Sequence, residues 1–322
     1  MSKLAESSSA KTDEKNKNYD FFHLSHLQHV YSETREVYLN QKFLGKGGNG
    51  TAFLVTCTSG KHQGMQFALK VFHKISDRKR RDRFLEEIKH YQTLNHPALL
   101  SIYDTGIYRA SEREYPFAVV DYIPGNLENI IGVGTPRLTR LEVIRYLYNV
   151  TSGVAYLHKQ SNPIVHRDIK PANILVHEQS ALLGDLGLAK VLMADGEKEE
   201  AEEVAAYAAM PRFYRTPELV QIAKGEDIDL TPASDIFQLG LLLYRSLTGF
   251  NPQKPPEKVT DEIILDIRNI SGACGVDLYK LITEMLAINP SDRPTARQLL
   301  EKLNSIHSKI CEADYEATGM MR

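Results

Sequence analysis

The chain has 322 residues, 42% of them hydrophobic, with 39 Lys and Arg against 41 Asp and Glu for a net charge of −2. That balance gives no electrostatic reason to expect nucleic acid or an anionic membrane as partner, and the length suffices for one large core or two unequal lobes. Three widely spaced cysteines, Cys57, Cys274 and Cys311, argue against a disulfide framework; with no bilayer-length apolar run and no signal-peptide segment at the polar start, a cytoplasmic protein is expected, the nucleus not being excluded.

Residues 1–18 are rich in Ser, Lys, Asp and Glu and read as a disordered tail. Residues 19–37 form a short extension in which Phe21, Leu24 and Leu27 recur at near-helical spacing, so a short docked helix is expected. His23, His26 and His29 lie three residues apart along it; only neighbouring pairs share a face, and no metal site is assigned.

From Tyr38 to Val71 the pattern predicts three strands: Tyr38 to Leu44, Ala52 to Val55, and Phe67 to Phe72. Between the first two lies Gly45-Lys46-Gly47-Gly48-Asn49-Gly50, with G-x-G-x-x-G spacing. In dinucleotide-binding folds such glycines open a helix; here they join strands, where residues without Cβ let a backbone approach phosphates. Lys70 stands in the third strand, and a helix follows with Phe84, Ile88 and Tyr91 on its apolar face and Glu87 nine residues before His96-Pro97; Glu86 is the alternative to Glu87 for facing the sheet. Phe117 to Val120 reads as a buried strand running through Asp121-Tyr122-Ile123 into a linker. Thr139-Arg140-Leu141-Glu142 has capping-box form and starts a helix with Ile144, Leu147, Val154 and Leu157 on one face.

That helix leads to His166-Arg167-Asp168-Ile169-Lys170-Pro171-Ala172-Asn173, then a hairpin, then Asp185-Leu186-Gly187. One Asp, an Asn five residues on and a second Asp twelve residues further supply a base and two Mg²⁺ ligands, the set that phosphoryl transfer from ATP requires. With Thr216-Pro217-Glu218, Ser234-Asp235 opening an apolar helix, and Ser291-Asp292-Arg293 all in order, the chain from Phe43 to Leu303 resembles the eukaryotic-type protein kinase family. Lys170, two residues after Asp168, is similar to its Ser/Thr branch.

The resemblance implies an α+β, two-lobed fold: a small, mainly antiparallel β N-lobe over residues 38–122, a larger helical C-lobe over 123–308, and a tail over 309–322. It implies ATP bound by Leu44, Gly45, Lys46, Gly47, Gly48, Asn49, Gly50, Ala52, Ala68, Lys70 paired with Glu87, Val120 as a small gatekeeper, and the backbone of Asp121 and Ile123. Asp168 is then the base, Lys70 and Lys170 counter phosphate charge, and Asn173 and Asp185 hold Mg²⁺. Arg167, Asp235 and the Glu218 and Arg293 pair are expected to be structural. Protein substrates are implied, with a regulatory partner open.

The departures are specific. Between Asp185 and Glu218 there is no serine, the only threonine is Thr216, and Tyr207 remains, while Asp195, Glu197, Glu199, Glu200, Glu202 and Glu203 make an acidic run. That run is expected to dock on Arg167 and the Arg80 to Arg83 region in place of a phosphate, the other reading being two solvated charge runs. Pro211 stands where such kinases place a threonine bonding the catalytic Asp and Lys, and proline has neither hydroxyl nor N–H. This keeps open an alternative, an ATP-binding pseudokinase or scaffold. Ala172 argues against substrates defined by a preceding arginine.

Overall fold

The computed structural model describes residues 23–46, 50–72, 78–110, 113–134, 136–185 and 213–319. Strands β1 (His29–Tyr31), β2 (Val37–Lys46), β3 (Gly50–Cys57) and β4 (Gln66–Phe72), helix α1 (Arg78–Gln92), and strands β5 (Ile102–Ala110) and β6 (Arg113–Asp121) build the first lobe. The six strands form one antiparallel sheet in the order β1-β2-β3-β4-β6-β5.

Strand periodicity sorts this lobe into two cores. Phe67, Leu69 and Val71 of β4 join Tyr38, Phe53, Val55, Phe117 and Val119 on one face. Ala68 and Phe72 turn the other way, to Phe84 and Ile88 of α1 with Leu100, Ala118 and Val120. Lys70 shares the parity of Ala68 and Phe72, so the alternation that buries this strand also sends the lysine stem to the α1 side. Phe72 and Phe84 meet edge to face at 4.6 Å, seating α1 on the sheet.

No helix forms over residues 23–31. Leu27 has φ of 59°, outside the helical region. The backbone groups are taken instead by β2: Asn40 Nδ2 donates to the carbonyls of Leu24 and Ser25 at 3.1 and 2.9 Å, Leu27 N–H donates to the Asn40 carbonyl, and Val30 pairs with Tyr38. Spacing alone misled, because Leu24 and Val30 bury against the sheet while Leu27 is 52% exposed. The extension thus contributes one of the sheet's two edge strands.

The chain crosses between lobes after Asp121. Strand β7 (Gly125–Asn126), helices α2 (Leu127–Ile130) and α3 (Arg140–His158), and strands β8 (Ile174–His177) and β9 (Ser180–Leu183) follow, then α4 (Pro217–Ala223), α5 (Pro232–Thr248), α6 (Gly275–Met285) and α7 (Ala296–Gly319). A single core spans α3, α5, α6 and α7, with Ile144, Leu157, Phe237, Leu241, Ile282 and Leu299 fully enclosed. Helix α7 runs past residue 308, and Ile310 on it is buried. The capping box forms: Thr139 N–H donates to Glu142 Oε2 at 2.7 Å and Glu142 N–H to Thr139 Oγ1 at 3.3 Å.

The segment before β5 joins the lobes. Leu183 N–H donates to the Ala98 carbonyl at 2.8 Å and Leu100 N–H to the Leu183 carbonyl at 3.0 Å, so the first lobe is hydrogen-bonded to β9, two residues before Asp185. Helix α3 lies close beneath, where a Cβ on Gly153 would meet Leu99 at 3.0 Å.

Candidate active site

The loop from His166 to Asn173 is held from below by two buried polar side chains of α5. Asp235, fully enclosed, accepts from the N–H groups of His166 at 2.9 Å and Arg167 at 2.8 Å, and from His158 Nε2 at 2.8 Å. Burial alone would raise its pKa, but the hydrogen bond and charge of His158 and the contacts at His166 hold it below the usual carboxylate value. Gln238 Oε1 accepts from Ile169 N–H at 2.8 Å, and its Nε2 donates to the carbonyls of Arg167 and Tyr214 at 3.0 and 2.9 Å. So braced, Arg167 holds φ of 67°, a left-handed conformation unusual for a residue with Cβ.

Above this floor Asp168, Lys170 and Asn173 converge. Lys170 Nζ lies 2.9 and 3.2 Å from the two carboxylate oxygens of Asp168. Asn173 Nδ2 donates to the Asp168 carbonyl at 2.8 Å and to its Oδ2 at 3.0 Å. Both amide hydrogens are spent on Asp168, which leaves Oδ1 as the atom Asn173 can offer a cation.

His166, 1% exposed, ties the loop to the hairpin. Its Nε2 donates to the Gly184 carbonyl at 2.9 Å, which places the proton on that nitrogen and leaves Nδ1 to accept from Asp168 N–H at 3.4 Å. Asp185 follows with φ of 51° and forms an ion pair with Lys70 of β4. The pKa of Asp185, whose side chain is about half exposed, is lowered: desolvation opposes the charge, but the neighbouring Lys70 outweighs it, with Lys170 adding to the effect.

Gly50 and Gly45 differ in what demands glycine. A Cβ on Gly50 would stand 2.4 Å from the Val71 carbonyl oxygen, so close strand packing excludes any side chain. A Cβ on Gly45 would meet nothing within 4 Å, which leaves open backbone on β2. Leu44 and Lys46 flank it, both exposed. Ala52 pairs with Lys70 across β3 and β4, and Ala68 with Val120 across β4 and β6. Asp121 braces the crossing by accepting from Ser101 N–H and the Tyr103 hydroxyl at 3.0 and 2.8 Å, with Ile123 partly buried beyond it. Gly47, Gly48, Asn49, the side chain of Glu87, and the run from Leu186 through Pro211 lie outside the described residues, while Glu86 is exposed.

Glu218 and Arg293 meet in the second lobe at 2.6 and 3.3 Å. Arg293 also donates to the carbonyls of Ala233, Ala287 and Ile288 and lies over the Phe237 ring. The pair is buried. All five guanidinium donors are therefore used. Arg81, in the basic run of α1, pairs with Glu114 of β6 and is thereby turned to the sheet.

His158 and Gln238 were missed in the sequence. The legible signal for Gln238 was one amide in an otherwise apolar helix, because a buried amide needs partners.

The fit to nucleotide and metal rests on donors. Asp185 and the Oδ1 of Asn173 are the hard oxygen ligands that Mg²⁺ prefers. Lys70, close to Asp185, and the open backbone at Gly45 suit phosphate. Among the described residues no group of three or more His, Cys, Asp and Glu side chains forms a metal site by itself, and no helix is long and apolar enough to cross a membrane.

Comparison with known proteins matches residues 38–303 to the protein kinase domain. A probable serine/threonine-protein kinase of Dictyostelium discoideum is 30% identical over 282 residues, 85% of this chain and 16% of that protein. Serine/threonine-protein kinase PknB of Mycobacterium leprae is 30% identical over 236 residues, 70% of this chain and 36% of PknB. A probable cell cycle serine/threonine-protein kinase CDC5 homolog of Encephalitozoon cuniculi is 28% identical over 270 residues, 82% of this chain and 53% of that protein. The chain thus spans 16% and 36% of the lengths of the first two relatives.

Proposed function

This chain belongs to the protein kinase family, and on that footing we propose that it transfers the γ-phosphoryl group of ATP to serine or threonine of protein substrates. The observation that carries the reading is the convergence of Lys170 and Asn173 on the Asp168 carboxylate, beside the Lys70 and Asp185 pair. A bare scaffold has no need of a carboxylate oriented by two donors.

Residue roles follow. Ala68 and Val120 offer small apolar surfaces for the adenine, with the backbone of Asp121 and Ile123 at its edge. Lys70 and the backbone from Gly45 to Gly50 would hold the phosphates, and Asn173 and Asp185 would hold Mg²⁺. Bound there, the ion supplies charge neutralisation on the transferring phosphoryl group. Asp168 orients the acceptor hydroxyl and takes its proton; Lys170, near both Asp168 oxygens, offsets negative charge as it develops. Incorporation of labelled phosphate from Mg-ATP into generic protein acceptors tests this. Labelling should vanish in Asp168→Ala, and a wild-type protein that binds nucleotide without labelling any acceptor would establish the ATP-binding scaffold instead.

A finer reading is that activity does not require phosphorylation between Asp185 and Glu218. Thr216 is fully buried, and its hydroxyl caps α4 by accepting from Leu219 N–H at 3.3 Å, so it is closed to modification. The acidic run would then supply negative charge, with Arg167 as its partner; Arg81 is committed to Glu114. Tyr207→Phe should leave labelling unchanged, and neutralising Glu199, Glu200, Glu202 and Glu203 together should lower it. A Tyr207→Phe protein without activity would overturn this.

A further inference from the structure

Tyr103 stands at an irregularity in the pairing of β5 with β6. Ile102 pairs with Val120 and Asp104 with Val119, so β5 advances two residues while β6 advances one, and Tyr103 is the extra residue of a β-bulge. The insertion reverses the strand's parity. Leu100 and Ile102 pack with Ala118 and Val120 on the α1 side. Beyond the bulge, Asp104 accepts from the Tyr38 hydroxyl at 3.3 Å and a Cβ on Gly106 would meet the Phe117 ring, both on the opposite face. Tyr103 faces that way too, its ring 4.8 Å from Phe67 and 5.4 Å from His62. Regular alternation would send Tyr103 and Asp104 to opposite faces; the bulge puts both on one.

The bulge is pinned. Asp104, 2% exposed, accepts from Thr105 N–H at 2.8 Å on Oδ1 and from the hydroxyls of Tyr38 and Thr34 on Oδ2. Glu33 N–H donates to the Thr105 carbonyl at 2.8 Å, so the N-terminal extension also grips this strand. From that fixed position the Tyr103 hydroxyl reaches Asp121 Oδ1 at 2.8 Å, while Ser101 N–H fills Asp121 Oδ2 at 3.0 Å. Asp121 N–H returns a bond to the Ser101 carbonyl at 3.4 Å. Burial and the Asp121 carboxylate push the Tyr103 pKa up to about 12, so the hydroxyl remains a donor at neutral pH. Asp121 ends β6 and pairs with Phe67, the residue whose ring Tyr103 packs against. A backbone already held in one conformation loses less entropy when a ligand docks on it.

Resting on the kinase reading, we propose that Tyr103 is a positioning residue for the nucleotide base: by holding the Asp121 carboxylate it fixes the backbone of Asp121 against the adenine edge. The base is then recognised through a hydroxyl that does not touch it, aimed by a bulge in the neighbouring strand.

The test is Tyr103→Phe, which removes the hydroxyl and keeps the ring between Phe67 and His62. Calorimetric titration with a non-hydrolysable ATP analogue and Mg²⁺ should show affinity weakened about fivefold, the scale of one hydrogen bond to a charged group. Inorganic tripolyphosphate, which carries no base, should bind the variant and the wild type alike. The KM for ATP should rise with the dissociation constant while kcat changes less than about twofold, the signature of lost binding common to ground and transition states. In an Asp121→Ala background, where the carboxylate is gone, Tyr103→Phe should have no further effect on affinity.

A lower melting temperature with unchanged ATP affinity, equal losses for the ATP analogue and tripolyphosphate, or the same fold loss with and without Asp121 would each overturn the proposal. Should Tyr103→Phe melt early, the Asp121→Ala single variant is read instead and must weaken the ATP analogue but not tripolyphosphate. Nucleotide binding that depends on Tyr103 without any turnover would leave this role standing and refute phosphoryl transfer; turnover with an ATP affinity indifferent to Tyr103 would do the reverse. A wild-type protein that binds no adenine nucleotide would overturn both.

Discussion

The Arg167 amide donates to Asp235 Oδ1 at 2.8 Å, so the backbone next to Asp168 is anchored by a carboxylate from the core of the second lobe rather than by its own loop. The other oxygen takes His166 N–H and His158. Asp235→Asn places an amide against these donors and leaves N–H groups unmet. A loss of about 3 to 5 kcal/mol is expected, as when one partner of a buried ionic contact is removed, with labelling activity falling in parallel. Urea midpoints measure it, and a shift below about 1 kcal/mol would show that the loop holds itself.

The same carboxylate sets an acid limit. Its folded pKa lies below the ordinary 3.8, so the native state keeps it ionised where the unfolded chain has begun to protonate. Its stabilisation is complete above about pH 4 and is lost as pH falls through the folded value. Melting temperature plotted against pH should drop below about pH 4 in the wild type, and Asp235→Asn should flatten that drop.

Arg293 spends every donor on Glu218 and three carbonyls, with Ser234 Oγ adding a bond to Glu218 Oε1 at 3.1 Å. Arg293→Met would strand a buried carboxylate and carbonyls together, at a cost of about 3 to 5 kcal/mol. The double variant with Glu218→Gln should be less destabilised than the sum of the singles, because the second change removes the stranded charge. A double-mutant cycle reads this coupling directly.

Much of the fold was legible because its signals are periodic. Strand patterning placed Lys70 in β4, the capping box placed the start of α3, and the spacing of Asp168, Lys170 and Asn173 marked the residues that share one loop, while the convergence of Lys170 and Asn173 on the Asp168 carboxylate is seen only in the structure. The rest depends on contacts far apart in sequence. Leu24 and Leu27 look alike by spacing, yet only the pairing of Asn40 with Leu24 and Ser25 decides that this segment joins a sheet.

The cap of α3 tests local against tertiary stabilisation. Thr139→Ala removes the side-chain acceptor for Glu142 N–H, and a loss of about 1 kcal/mol is expected. Melting temperature should fall by a few degrees with phosphate incorporation unchanged at 25 °C, since α3 is also held by buried Ile144, Leu147 and Leu157. A lost activity would mean that the start of α3 communicates with the catalytic loop.

Gly45 and Gly50 should separate under the same substitution. Gly50→Ala drives a Cβ to 2.4 Å from the Val71 oxygen, so β3 and β4 must part where Gly50 pairs with Phe72; overpacking of this kind costs about 1 to 3 kcal/mol. Gly45→Ala meets no protein atom within 4 Å, and its stability should match the wild type within about 0.5 kcal/mol. If the backbone at Gly45 approaches the phosphates of ATP, that new methyl group falls between them, and nucleotide affinity should drop while the melting temperature holds. Calorimetric titration of both variants with Mg-ATP, beside thermal melts, decides it: unchanged affinity in Gly45→Ala would move the phosphates away from this strand.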